Sequence, residues 1–199
     1  MEVYRPVSGP RIDAVEESLV MNPYSTDDPA FYELDEMTGL RSVTPGVSAL
    51  VSKMVGLPCL RREVGEFKSL SLGFGEVAEQ TTPKRRAYRA WELGTWRSAW
   101  RLSHAGTVLC GSKDDNELSQ MNQTLEQIEL GRFLSLKQSS DLDIRVELDN
   151  GIVIDFLTTF SDDDESFHIS CPGQIWVQFS AKGGWTVGPS NKPWSAKVA

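Results

Sequence analysis

Leu142-Asp143-Ile144-Arg145-Val146-Glu147-Leu148-Asp149-Asn150-Gly151 decides the fold of this chain. Apolar side chains alternate with charged ones from Leu142 to Leu148, the period of a strand with one buried face. Asp149-Asn150-Gly151 then predicts a hairpin, because Asn-Gly readily takes the positive φ angles of a type I′ turn. The next apolar run, Ile152–Phe160, reads as the returning strand. Phe133–Lys137 precedes the pair. Ser166–Cys171, Gln174–Phe179 and Trp185–Val187 follow it as further strands.

The same order occurs earlier. Val47, Leu50, Val51 and Met54 share one face of a short helix that Thr44 can cap, with Pro45 at its first position and Gly56 and Pro58 ending it. Strands are expected at Cys59–Val64, Phe67–Phe74, Ala87–Leu93, Ala99–Ser103 and Thr107–Cys110, the last two joined at His104-Ala105-Gly106. A second helix is expected over Lys113–Leu130, opened by the box-like Ser112-Lys113-Asp114-Asp115 and buried along Leu118, Met121, Leu125 and Ile128. The helix ends, strands and turns of the two stretches are offset by 75, 74 and 67 residues. The expected fold is therefore α+β, a duplicated unit of one helix followed by an antiparallel β-meander, with segments 46–111 and 115–180 superposing. Residues 1–43 read as an irregular, proline-punctuated arm with one short helix over Arg11–Met21. Residues 44–112 read as the first unit and 113–199 as the second, in one compact domain.

The 199 residues are 40% apolar and 24% charged, enough to bury a core, and contain no apolar run long enough to span a membrane. No secretory signal is apparent at the N-terminus. Cys59, Cys110 and Cys171 lack CxxC spacing and are expected to be reduced and buried, which suits a cytoplasmic protein. The net charge of −8 is unevenly spread: residues 1–45 carry −6, residues 46–112 carry +5 and residues 113–199 carry −7. The halves could pack against each other, or the acidic half could face a basic partner.

No motif carries a reaction. Asp162-Asp163-Asp164-Glu165 lacks the alternate spacing and the glycine of a calcium loop, and no metal or cofactor is expected. Neither histidine lies in a nucleophile motif. An enzyme site near His104 or His168 is one alternative, to be recognised by a deep pocket with a neighbouring carboxylate. A nucleic-acid binder is another, through Lys84, Arg85, Arg86, Arg89, Trp91, Trp96 and Arg97, which combine positive charge with rings able to stack on bases. The acidity of the whole chain counts against nucleic acid.

The run Trp100-x-Leu102 … Gly106-x-Val108-Leu109, then a helix, then Leu142-x-Ile144-x-Val146-x-Leu148-Asp149-Asn150-Gly151, then Phe167-x-Ile169 … Pro172-Gly173, resembles small bacterial α+β proteins akin to immunity proteins of polymorphic toxin systems. The likeness spans about residues 96–190 and rests on strand patterns and turns. It implies a protein-binding module that neutralises a basic toxin by covering its active surface. Asp141, Asp143 and Glu147, with Asp162, Asp163 and Asp164 on the adjacent loop, are the candidate contacts. The first three share strand parity and would line one polar face.

Overall fold

The computed structural model describes residues 45–78, 88–161 and 164–190. The N-terminal arm, Thr44, Lys84, Arg85, Arg86, Asp162 and Asp163 lie outside the described residues. Two short helices and eleven strands follow in order: α1 (Pro45–Val51), β1 (Cys59–Val64), β2 (Leu70–Val77), β3 (Arg89–Thr95), β4 (Ala99–His104), β5 (Thr107–Gly111), α2 (Leu118–Gln127), β6 (Phe133–Gln138), β7 (Ile144–Leu148), β8 (Ile152–Leu157), β9 (Glu165–Cys171), β10 (Ile175–Ser180) and β11 (Gly184–Pro189).

The strands form two antiparallel sheets, one of six in the order β1-β2-β3-β9-β10-β11 and one of five in the order β5-β4-β8-β7-β6. Each strand turns alternate residues inward. The two inner faces share one core, with Phe74 edge-on to Phe133 at 5.8 Å and Phe156 edge-on to Phe167 at 4.9 Å between ring centroids. Such edge-to-face pairs add to the hydrophobic gain from burying the rings.

The expected duplicated α+β unit is overturned. The described fold is mostly β, and neither stretch forms a helix-plus-meander unit of its own. Each sheet takes three consecutive strands from one half of the chain and the rest from the other. The β3 residues Glu92, Leu93 and Gly94 pair with Ser170, Ile169 and His168 of β9, while β4 pairs along its length with β8. Alternation fixes which face a strand buries; it does not fix which strand lies beside it.

Several local expectations shift as well. The Asp149-Asn150-Gly151 loop is not type I′: Gly151 alone has positive φ (82°), and its N–H bonds back to the Leu148 carbonyl at 3.1 Å. The two consecutive positive φ angles of that turn occur at Ala105 (48°) and Gly106 (80°), between the paired His104 and Thr107. Helix α2 starts later than expected because Glu117, not Ser112, is its cap, in a reciprocal box with Gln120. Ser112 and Asp114 instead bond the backbone of Trp100 and Gly111. Phe67 does not start a strand. It occupies the β1–β2 connection with φ 55° and is 86% exposed.

Helix α2 lies along β1, where the Asn122 amide accepts from the Val64 N–H (2.9 Å) and donates to the Val64 carbonyl (2.8 Å). The start of β6 is tied to the lead-in of β1 by Gly56 N–H to Phe133 O (2.8 Å) and Phe133 N–H to Leu57 O (2.9 Å). The two sheets are thus laced together along that side.

Candidate binding site on the six-stranded sheet

The outer face of the six-stranded sheet is built from the residues that alternate with its core positions. One register row crosses the sheet through Arg61, Gly73, Glu92, Ser170, Trp176 and Gly188. The adjacent row runs through Glu63, Ser71, Gly94, His168, Gln178 and Thr186. Glycines at central positions let neighbouring groups approach the sheet closely. A Cβ on Gly73 would lie 2.6 Å from Glu92 Oε1 and 2.7 Å from Arg89 Cγ, and one on Gly94 would lie 1.9 Å from the Leu70 carbonyl oxygen. The same face carries a concavity of about 920 Å³ that includes Arg89, Glu92, Trp96, His168, Ser170 and Trp176 in its lining.

At its centre His168 is sandwiched between two tryptophans. Its ring lies 5.2 Å from Trp96 and 4.6 Å from Trp176, with interplanar angles of 27° and 19°. The Glu165 carboxylate contacts His168 Nδ1 and sets the orientation of the imidazole. Both groups are well buried. Trp96, on the β3–β4 connection, is 56% exposed although one ring face stacks on His168. Beside the row, Glu92 is buried and fully engaged. Its Oε2 accepts from Arg61 (2.7 Å) and Ser71 (3.0 Å), and its Oε1 accepts from the Arg89 backbone N–H (2.7 Å).

Asp141, Asp143 and Glu147, expected to line one polar face of a strand, do not share one. Strand β7 begins at Ile144, so Asp141 and Asp143 precede it and the shared parity fails. Asp143 accepts from Ser140 Oγ (3.0 Å) and from the Thr158 N–H (3.0 Å), fastening its loop to the end of β8. Glu147 does lie on the outer face of the five-stranded sheet. There it accepts from Ser135 Oγ (2.7 Å) and Lys137 Nζ (2.8 Å). Burial pushes its carboxyl up, but those bonds and the charges of Lys137 and Arg145 outweigh it and leave the pKa below the ordinary value. Asp164 pairs with Arg97 at 2.6 Å, so residues proposed for two different partners are joined to each other. Arg97 also lies over Phe160, and both contacts tie together the two connections that cross between the sheets.

Of the other residues proposed to bind nucleic acid, Trp91 is a core side chain, whereas Arg89 and Trp96 reach the concavity. The histidines fall on different sheets. His104 is exposed at the end of β4, and His168 alone meets the expectation of a pocket with a neighbouring carboxylate. Arg61, Glu92, Glu165 and Trp176 were not anticipated. Glu92 could have been found as a charged residue flanked by Trp91 and Leu93, which alternation turns outward. Trp176 came with no such signal, because its neighbours arrive from strands far away in sequence.

No helix among the described residues is long and apolar enough to cross a membrane. Among the described residues no group of three or more His, Cys, Asp and Glu side chains could hold a metal. Comparison of the chain with known protein families, characterised proteins and solved structures finds no match.

Proposed function

We propose that the protein is a binding module whose recognition surface is the concave outer face of the six-stranded sheet, with a planar group of the ligand packed against Trp96. The observation that carries this reading is the Trp96–His168–Trp176 row in a concavity of about 920 Å³. Concave sites lined by aromatics with a few fixed polar groups are the usual form of ligand sites. Glu165 holds Nδ1 of His168 and both indoles stack on its ring, so the imidazole is a fixed part of the wall. The three buried cysteines, none of them in a disulfide, fit a reducing compartment, and we place the protein in the cytoplasm.

The test follows the indole N–H resonances while a fragment library is titrated into the full chain. Ligands are expected to shift Trp96 and Trp176 and to leave the core residues Trp91 and Trp100 in place. Hits that perturb neither Trp96 nor Trp176, or that bind undiminished to a Trp96→Ala variant, would reject this face as the site.

A protein partner of the immunity type is the second reading, and Phe67 favours it. An 86%-exposed phenylalanine sits on a β1–β2 turn that is fastened by Gly65 N–H to Ser69 O (2.8 Å) and Trp100 Nε1–H to Lys68 O (2.7 Å). Rigidly presented aromatics are typical interface anchors, and strained backbone concentrates at such sites. A toxin gene directly upstream would support this reading, with the contact at the hairpin tip in place of Asp143 and Glu147.

A further inference from the structure

We infer that the concavity takes a planar ligand bearing one carboxylate, with the Arg89 guanidinium as counter-charge and the Trp96–His168–Trp176 row as the wall for the ring. This rests on the reading of the face as a binding site and adds the chemical class of what it binds.

The inference comes from the pairing of charges around the concavity. Arg61 is engaged by Glu63 and Glu92, and it lies over the Tyr88 ring at 4.9 Å. Both Glu92 oxygens are occupied, one of them by the backbone N–H of Arg89 and neither by its guanidinium. Arg89 is half-buried and makes no side-chain ion pair among the described residues, and its Nε is a buried donor with no partner there. Its stem crosses Gly73, where a Cβ would come within 2.7 Å of Arg89 Cγ, so the sequence keeps room for it there. Trp176 Nε1, in the lining of the same concavity, is a second buried donor without a partner among the described residues.

Leaving a buried donor unpaired is costly, and more so when it is charged. A carboxylate supplies the acceptors and the charge together, and a guanidinium binds one through two parallel bonds. Glu76 also lines the concavity, and the chain carries −8 overall. Among the described residues lining the concavity, Arg89 is the only arginine or lysine, and a single carboxylate matches its charge.

The experiment uses the full chain and five small probes, followed by indole resonances and calorimetry. Indole-3-acetate and benzoate are compared with the neutral indole-3-acetamide and benzamide, and with acetate, which has no ring. Each acid is expected to bind about tenfold more tightly than its amide, and acetate not to saturate. In Arg89→Gln the preference for acid over amide should vanish. Arg89→Lys keeps the charge without the fork and should retain only part of the preference. The tripeptide Gly-Gly-Trp, with its C-terminus free or amidated, distinguishes a peptide end from a free acid as the source of the carboxylate. Equal binding of acid and amide to the native chain overturns the carboxylate assignment and leaves the binding face standing. A preference that survives in both Arg89 variants removes Arg89 from the role. No shift of Trp96 or Trp176 with any probe overturns the binding face as well.

Discussion

At Asp155 the outer face of the five-stranded sheet concentrates its charge. The side chain is 4% exposed and receives Arg101 Nε–H at 2.8 Å and Arg145 Nε–H at 2.7 Å. Burial alone would raise its pKa, but the bonds and charges of Arg145 and Arg101 outweigh it, so the folded-state value lies below the ordinary one. A depressed carboxyl stabilises the fold above its unfolded pKa, about 3.9 for aspartate. That contribution is lost as pH falls through the lower folded value. Glu147 has the same sign. Unfolding midpoints measured in denaturant should therefore fall as the pH drops below about 4, and less steeply in Asp155→Asn. At pH 7 that variant should lose about 1–2 kcal/mol, because both arginines stay partly solvated. A variant with the native pH slope would show that the cluster contributes nothing. The sequence placed Asp155 within a strand but could not pair it, since its arginines reach it from β4 and β7 across the sheet register.

The elements themselves were largely readable, and their edges were not. Period-two alternation located most strands to within a few residues, and the stripe through Leu118, Met121, Leu125 and Ile128 located α2. What those patterns could not show is how an exposed strand edge is protected. At β1 the device is a single side chain: Asn122 satisfies both backbone groups of Val64 and also donates to the Leu118 carbonyl at 2.9 Å. An amide in place of a neighbouring strand fills the ladder without inviting another chain. Asn122→Ala should cost about 1–3 kcal/mol, and it should speed hydrogen exchange at Val64 ahead of the rest of β1. Unchanged exchange at Val64 would mean that water replaces the amide at no cost. The Asp149–Gly151 turn teaches a similar limit. Asp149 and Asn150 are drawn to the α2–β6 connection by bonds to the Arg132 N–H (2.7 Å) and the Glu129 carbonyl (2.7 Å), so a tertiary contact overrides the local turn preference.

For the whole molecule, the apparent repeat was legible and the architecture was not. Two similar runs of apolar alternation suggested two self-contained units, yet the strands interleave so that both sheets need both halves. Pairing β3 with β9 joins residues more than seventy positions apart, and no window of sequence reports such a contact. Folds dominated by distant pairings close long loops before they gain stability and fold slowly. The aromatic concavity has the same origin, since its walls come from β2, β3, β9 and β10 and exist only once the halves have joined.

The cysteines turn this interleaving into a clock. Burial is the main cause that pushes Cys59 and Cys171 up to about 12 and Cys110 up to about 11, so almost none of any thiol is ionised at neutral pH. Alkylation by iodoacetamide requires thiolate, so each sulfur reacts only when its own strand opens. Cys59 and Cys110 mark the edge strands β1 and β5, and Cys171 marks β9 inside the larger sheet. Mass spectrometry of timed quenches should find Cys59 and Cys110 modified first and Cys171 last, at a rate approaching that of global unfolding. If all three react together, the edges do not open separately and the molecule breathes as one unit.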